Sequence, residues 1–332
     1  MGELTIGKLR GLQQLANDRG VFAMVALDHR GSLQAALNPQ APGQVPYEAL
    51  VDLKVLLVRA LAPHASALLL DPVYGAAQAI GQGALPGDVG LIVSLEASGY
   101  EGDGPERRTA LLPGWDVAKV KRMGAAAAKL LLYYHPAAAT APVQEELTRH
   151  VAHACSAHDI PFLLEPMSYA LDPAAPKGSA AFARRRPAIV HDSALRLVPL
   201  GVDVLKAEFP SDLEYETPEQ ALDHCRRLTG AINVPWVLLS AAADYDLFRR
   251  QVEIACRGGA SGFLAGRAIW QEITRLRRQE WDEFAATVAV ARLQELVAIA
   301  DAQARPYRPV LPVRQGWFEA YGAEPVFAAL AD

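Results

Sequence analysis

Short apolar runs alternate with longer amphipathic stretches along most of this chain. The runs at 22–27, 67–70, 91–95, 129–134, 161–164, 203–208, 236–239 and 262–264 read as strands. Between them, apolar residues recur at helical spacing over 47–61, 116–126, 144–158, 188–197, 218–228, 245–258 and 269–277. Eight strands with interleaved helices in about 250 residues predict an α/β fold, a (β/α)8 TIM barrel. A doubly wound open sheet is the competing arrangement, but the first turn, Leu27-Asp28-His29-Arg30-Gly31, lacks the GxGxxG pattern such a sheet needs. The expected organisation is one barrel over 1–278. A C-terminal extension over 279–332 follows, a helix (281–303) and then a proline-rich tail packed on the barrel. Residues 1–20 read as an amphipathic helix. The glycine-containing loop 96–115 suits an active-site lid or a plain crossing equally well.

One strand carries an anomaly. Within Val202-Asp203-Val204-Leu205-Lys206-Ala207-Glu208, a lysine sits in the middle of an otherwise buried run. Alternation places Lys206 and Glu208 on one face, with Leu205 and Ala207 on the other. Lysine is rarely buried without a partner or a task. At an unperturbed pKa of ~10.4, about one amine in two thousand is neutral at pH 7, and a pocket that lowers the pKa to ~7 makes it roughly half. A neutral amine attacks a carbonyl to form a Schiff base. The plainer explanation is a lysine at the strand's end, snorkelling into solvent or paired with Glu208.

Composition narrows the class. A net charge of −5 argues against nucleic acid as a partner. No apolar run approaches the ~20 residues that cross a bilayer, and residues 1–20 do not resemble a signal peptide. Cys155, Cys225 and Cys256 are odd in number and widely spaced, which fits a reduced, cytoplasmic setting and gives no zinc signature.

In a barrel, chemistry gathers where strands end. Those positions are ionisable here: Asp28-His29-Arg30 after the first strand, Asp71 after the second, Glu96 after the third, Glu165 after the fifth, Ser240 after the seventh. Lys129 opens the fourth strand and shares its face with Leu131 and Tyr133. Carboxylates and lysines converging on one mouth suit a carbon–carbon lyase, with basic groups holding phosphate. Phosphate often sits on the loops after strands seven and eight. Those loops are Ser240-Ala241-Ala242-Ala243 and Ala265-Gly266-Arg267-Ala268, where Gly266 permits close approach and Arg267 offers a bidentate fork.

Seven segments carry a resemblance: ALDHRG (26–31), LLLDPVYG (68–75), AAKLLLYYHP (127–136), IPFLLEP (160–166), DVLKAEFP (203–210), PWVLLSA (235–241) and GASGFLAGRAIW (259–270). In this order they resemble the class I tagatose-1,6-bisphosphate aldolase family, whose relatives include the sulfofructose-1-phosphate aldolases. The resemblance implies a barrel with metal-independent Schiff-base chemistry, no cofactor, a small sugar-phosphate substrate and a homodimer. It implies Lys206 as the Schiff-base lysine and Glu165 as the proton carrier. Asp28 and Lys129 would orient hydroxyls. His29, Arg30, Asp71, Ser240, Ala241, Gly266 and Arg267 would bind substrate. The reaction implied is cleavage of a ketose 1-phosphate to dihydroxyacetone phosphate and a three-carbon aldehyde. Tagatose 1,6-bisphosphate is the first candidate and 6-deoxy-6-sulfofructose 1-phosphate, giving sulfolactaldehyde, the second.

The chain departs from the family pattern twice. His29 stands where glutamine is usual, and histidine can carry a proton near neutral pH. Ala242 replaces a glycine, which restricts the backbone if φ is positive there. Two other classes were weighed. A zinc aldolase needs histidines converging on the mouth, whereas His150, His153 and His158 fall on an outer helix. A non-catalytic sugar-phosphate sensor on the same barrel would be expected to lose the lysine or the glutamate, and both are present. Arg184, Arg185 and Arg186 read as a helix face or an oligomer contact.

Overall fold

The strands are apolar on both faces over most of their length, as strands must be when helices cover one side and a filled interior the other. In the computed structural model, which describes residues 4–319 and 321, eight strands pair in parallel and in chain order. They are β1 (Phe22–Leu27), β2 (Ala67–Leu70), β3 (Gly90–Ser94), β4 (Ala127–Tyr133), β5 (Phe162–Met167), β6 (Val204–Ala207), β7 (Trp236–Leu239) and β8 (Gly262–Ala265). β8 pairs with β1 through Phe22↔Gly262 and Val25↔Ala265, which closes the barrel. The (β/α)8 expectation is therefore met, and the open-sheet alternative is excluded.

The helices are α1 (Ile6–Leu15), α2 (Gly31–Leu37), α3 (Tyr47–Leu61), α4 (Ala76–Gly81), α5 (Val117–Arg122), α6 (Ala141–Ala157), α7 (Ala180–Leu197), α8 (Pro218–Ala231), α9 (Tyr245–Arg257), α10 (Arg267–Trp270), α11 (Trp281–Phe284) and α12 (Val290–Gln303). Outward strand residues such as Val25, Leu68, Val93, Leu164 and Phe263 pack with buried helix residues Leu50, Leu53, Val151 and Phe248 in one large core. A second core fills the barrel itself: Phe22, Met24 and Ala26 of β1, Leu69, Ile92, Ala127, Leu163, Val204, Val237 and Leu264. The barrel is thus a packed plug, and polar chemistry is confined to the layer above it.

The lower end is sealed by α1 and by the chain after α12. Leu12 and Leu15 join the inner core, and the Tyr307 ring lies 6.1 Å from that of Phe22. Buried Lys8 pairs with Asp203 at 2.9 Å, and the same carboxylate oxygen accepts the Phe162 amide. Arg308 donates to the carbonyls of Asp18 and Arg19. The described part of the tail therefore runs over the end opposite the mouth. Its remainder, 322–332, lies outside the described residues.

Element limits differ where local signals mislead. α7 starts at Ala180, capped by the Ser179 hydroxyl, and runs through Pro187. Pro187 reads in sequence as a helix start because proline favours the first turn. Arg186, of the arginine run, faces Asp212 at 3.4 Å, so at least this arginine belongs to a helix face. The expected helix 269–277 breaks after Trp270 into a 3-10 segment, Gln271–Arg275. The expected helix 281–303 is α11 and α12 joined by a π turn, Ala285–Ala289. No helix among the described residues is long and apolar enough to cross a membrane.

Close approach of α1 to the barrel depends on Gly11, where an added Cβ would stand 2.4 Å from the Ala126 carbonyl oxygen. Gly11→Ala should therefore cost about 2–3 kcal/mol through overpacking, read as a lowered denaturation midpoint. An unchanged midpoint would contradict this account of the lower seal.

Candidate active site

Alternation along the inner face carries the sequence from the apolar plug to the charged layer. On β4 the inward row is Ala127, Lys129, Leu131 and Tyr133; on β5 it is Leu163, Glu165 and Met167; on β6 it is Val204 and Lys206. The register pairs Leu131 with Glu165 and Leu163 with both Lys129 and Val204, so Glu165 and Lys206 lie level and Lys129 one inward position below them. Asp28 follows Ala26 on β1 and reaches the same level from across the barrel.

Lys129, with none of its surface exposed, is the centre of this layer. Its Nζ donates to Asp28 Oδ2 at 2.8 Å and to Glu96 Oε1 at 2.6 Å. Glu165 Oε2 lies 2.9 Å away, but off the direction a hydrogen bond requires, and has no aligned donor. Glu165 Oε1 lies 2.8 Å from Lys206 Nζ. Burial pushes the Lys129 amine down, yet Asp28, Glu165 and Glu96 together raise it well above the ordinary range. Lys129 is a permanent cation. Burial likewise opposes ionisation of Asp28, and Lys129 and then Lys206 outweigh it, holding the carboxyl well below the usual range.

A cavity of about 470 Å³ opens above this layer. Asp28, His29, Arg30, Glu165, Lys206, Ser240, Ala241, Gly266 and Arg267 all line it. The structure thus gathers nine of the eleven expected site residues around one space. Lys129 is not among them: it lies below the floor, with its ammonium directed at Asp28 and Glu96. Asp71 is a correction. Its carboxylate, fully buried, pairs with Lys54 of α3 and accepts the amides of Val73 at 2.9 Å and Tyr74 at 2.8 Å. With both oxygens engaged it caps its own loop and does not face the cavity.

Glu208 is a second correction. β6 ends at Ala207, so alternation does not extend to it. Glu208 turns outward beside Leu205 and Ala207, accepts the Ser168 amide at 2.9 Å and pairs with Lys177. The partner of Lys206 is Glu165, so the plainer explanation of a Lys206–Glu208 pair does not hold.

His29 packs edge-on against Trp270, with ring centroids 5.2 Å apart. Burial lowers its pKa to about 3, against the pull of Asp28 and with help from Arg267 and Lys206. It is neutral at pH 7, so the proton expected there from its residue type is absent. Gly266 is needed beside it, because a Cβ there would stand 2.9 Å from the imidazole Cε1. The Gly266 amide donates to Ser240 Oγ at 3.2 Å, which ties the two loops together. Arg267 presents a buried Nε with no partner. Ala241 and Ala242 have φ of 45° and 61°, so the restriction anticipated for Ala242 is real and shared with its neighbour. Such strain costs on the order of 1 kcal/mol per residue and gathers at functional loops.

Sequence reasoning left several lining residues unassigned: Glu96, Ser98, Tyr133 and Met167. Tyr133 was available from its face, four residues beyond Lys129. Glu96 was visible as a strand-end acid but gave no sign of its partner. The loop that follows it folds back as a narrow hairpin, through bridges Glu96↔Leu111 and Glu101↔Arg108.

The state of His29 has a consequence for stability. Above pH 6.5 it is neutral folded or unfolded and contributes nothing. As pH falls from 6.5 toward 3, only the unfolded chain takes the proton, so the native state loses stability. His29→Gln should lose about 2 kcal/mol less than the parent between pH 6.5 and 4.5 in denaturant titrations. Parallel losses would contradict a neutral His29.

Comparisons with known proteins identify the family. The model of the DeoC/LacD family aldolase matches residues 22–272. The chain is 33% identical over 301 residues to a tagatose 1,6-diphosphate aldolase of Listeria monocytogenes, covering 85% of this chain and 87% of that protein. It is 30% identical over 295 residues to the enzyme of the same name from Staphylococcus aureus, covering 84% and 89%. Among solved structures, a Schiff-base-forming fructose-1,6-bisphosphate aldolase superposes with a TM-score of 0.56 at 20% identity, over 85% of this chain and 98% of that one. Fructose-bisphosphate aldolase from Plasmodium falciparum gives 0.68 at 15% identity, over 90% and 94%. These two likenesses concern the fold. On the family match and the relatives' identity, the chain belongs to the DeoC/LacD aldolase family, and the protein is an aldehyde-lyase.

Proposed function

We propose that this aldolase cleaves tagatose 1,6-bisphosphate to dihydroxyacetone phosphate and a three-carbon aldehyde phosphate, through a Schiff base on Lys206. The observation that carries the reading is Lys206 Nζ on the cavity floor, 2.8 Å from Glu165 Oε1. The amine loses a proton to Glu165 and attacks the C2 ketone. The carbinolamine then loses water, with Glu165 returning the proton to the departing hydroxyl. The iminium draws the electrons of the C3–C4 bond as it breaks, and the C4 hydroxyl proton passes to a carboxylate. Glu165 is the nearer candidate, since its Oε2 is buried without an aligned donor. Protonation of the enamine at C3 and hydrolysis of the iminium release dihydroxyacetone phosphate and restore Lys206.

The cavity supports two anionic ends. Ser240, Gly266 and Arg267 suit the 1-phosphate beside Lys206, and Arg30, after β1, lines the same cavity beside the loop after β3. Arg30 is buried and donates to the Glu96 carbonyl, which fixes its direction. The substrate named for the Listeria and Staphylococcus relatives favours tagatose 1,6-bisphosphate. The segments PWVLLS (235–240) and ASGFLAGRA (260–268), which run through β7 and β8 into the loops after them, resemble the sulfosugar branch of the family, so the 6-sulfonate analogue is the second substrate to assay.

Lys206→Ala should lower kcat/KM by at least about 10⁴-fold, the scale on which loss of a covalent nucleophile is felt. Borohydride treatment with dihydroxyacetone phosphate in EDTA should leave an adduct that peptide mapping places on Lys206, with turnover unaffected by the chelator. Full activity in Lys206→Ala, or activity lost in EDTA, would overturn the mechanism. Binding of sugar phosphate without turnover would instead favour a sensor.

A further inference from the structure

Glu96 lies at the cavity's edge with its carboxylate fully engaged, yet has no part in the chemistry set out above. The residue is 6% exposed, a costly place for a carboxylate unless something requires it. Oε1 accepts from Lys129 Nζ at 2.6 Å, the shortest of that ammonium's three carboxylate contacts. Oε2 accepts the Leu131 amide at 3.0 Å, and its carbonyl accepts from Arg30. The side chain is therefore held from both sides and cannot turn into the cavity.

Geometry around Lys129 shows what this anchoring does. An ammonium has three protons. Two are directed at Asp28 and Glu96, and Glu165 Oε2, though 2.9 Å away, is approached out of line. Glu165 thus feels the charge of Lys129 without receiving its hydrogen bond. A carboxylate that accepts a charge-assisted hydrogen bond is a weaker base than one that does not. The base that must take the Lys206 proton is the one spared.

We infer that Glu96 is a positioning residue of the aldolase reaction, drawing Lys129 away from Glu165 so that Glu165 can accept protons from Lys206 and the substrate. The assignment rests on the proposed Schiff-base reading. Without the Glu96 charge, Lys129 has only Asp28 and Glu165 to satisfy it and swings toward Glu165. Other charged or titratable groups around Glu165 are Lys206 on β6, Tyr133 on β4, Asp28 and His29 after β1, and Arg267 after β8. None of these replaces the carboxylate that is lost.

The test is the kcat–pH profile of Glu96→Gln, which keeps the side chain's shape and an oxygen for the Leu131 amide. We expect kcat to fall at least tenfold at pH 7 with KM within threefold. The acid limb should move down by about one pH unit, as for removal of one nearby charge at an effective dielectric of tens. Glu96→Asp should recover part of both. In a Lys129→Met background, Glu96→Gln should bring no further loss, because the cation it steers is gone. An unmoved limb with parental kcat, or multiplicative losses in the double variant, would overturn the assignment. Circular dichroism and melting of each variant separate these outcomes from misfolding, and a Glu96→Gln chain that fails to fold would make the residue structural and also overturn it. Borohydride trapping of the parent on Lys206 is run alongside. Absence of that adduct overturns the Schiff-base reading itself, whereas trapping with an unmoved limb overturns only the role of Glu96.

Discussion

A single buried ammonium, Lys129, gathers three carboxylates, from the loops after β1 and β3 and from within β5. Taking any one of these ions out of water costs several kcal/mol, and the cluster survives because each charge faces an opposite one. Asp28 is pulled across from β1, Glu96 is pinned beyond β3, and Glu165 is left between Lys129 and Lys206. Removing the cation would leave Asp28 and Glu96 without their ammonium partner and Glu165 with Lys206 alone. Geometry of the reacting groups is thus a consequence of charge balance beneath them.

The barrel makes that balance possible by keeping water out from below. Leu12, Leu15 and Tyr307 seal the lower end, and Met24, Leu69, Ile92, Leu163 and Leu264 fill the interior up to the charged layer. In such surroundings hydrogen-bond direction matters more than it does in water, because few alternative partners exist. Glu96 takes a directed bond from Lys129, and Glu165 does not. The same low-dielectric setting keeps His29 neutral despite the neighbouring Asp28, so its ring offers a packing surface toward Trp270 and a neutral hydrogen-bonding edge.

Strand order and the inward row were legible because both follow from a period of two over apolar runs. Lys129, Glu165 and Lys206 all fall on the inward rows of β4, β5 and β6, which the sequence displays directly. Asp71 was misassigned for a physical reason: a strand-end acid reads the same whether it meets substrate or a lysine from a distant helix, and Lys54 carries no local mark of its partner. Glu208 was misassigned because the strand stopped one residue early. Glu96 showed its acidity but hid its role, since hydrogen-bond direction around Lys129 has no trace in a linear pattern. The start of α7 was obscured by Pro187, and the π turn within the last helix has no signature in the apolar spacing.

The measurement that tests the account most directly is a crystal structure of the borohydride-reduced adduct with dihydroxyacetone phosphate. The account predicts a covalent bond from Lys206 Nζ to the former C2, the phosphate on Ser240, Gly266 and Arg267, and Lys129 still directed at Asp28 and Glu96 beneath the floor. A ligand bonded to another lysine, or Lys129 turned upward onto the substrate with Glu96 unpaired, would contradict it.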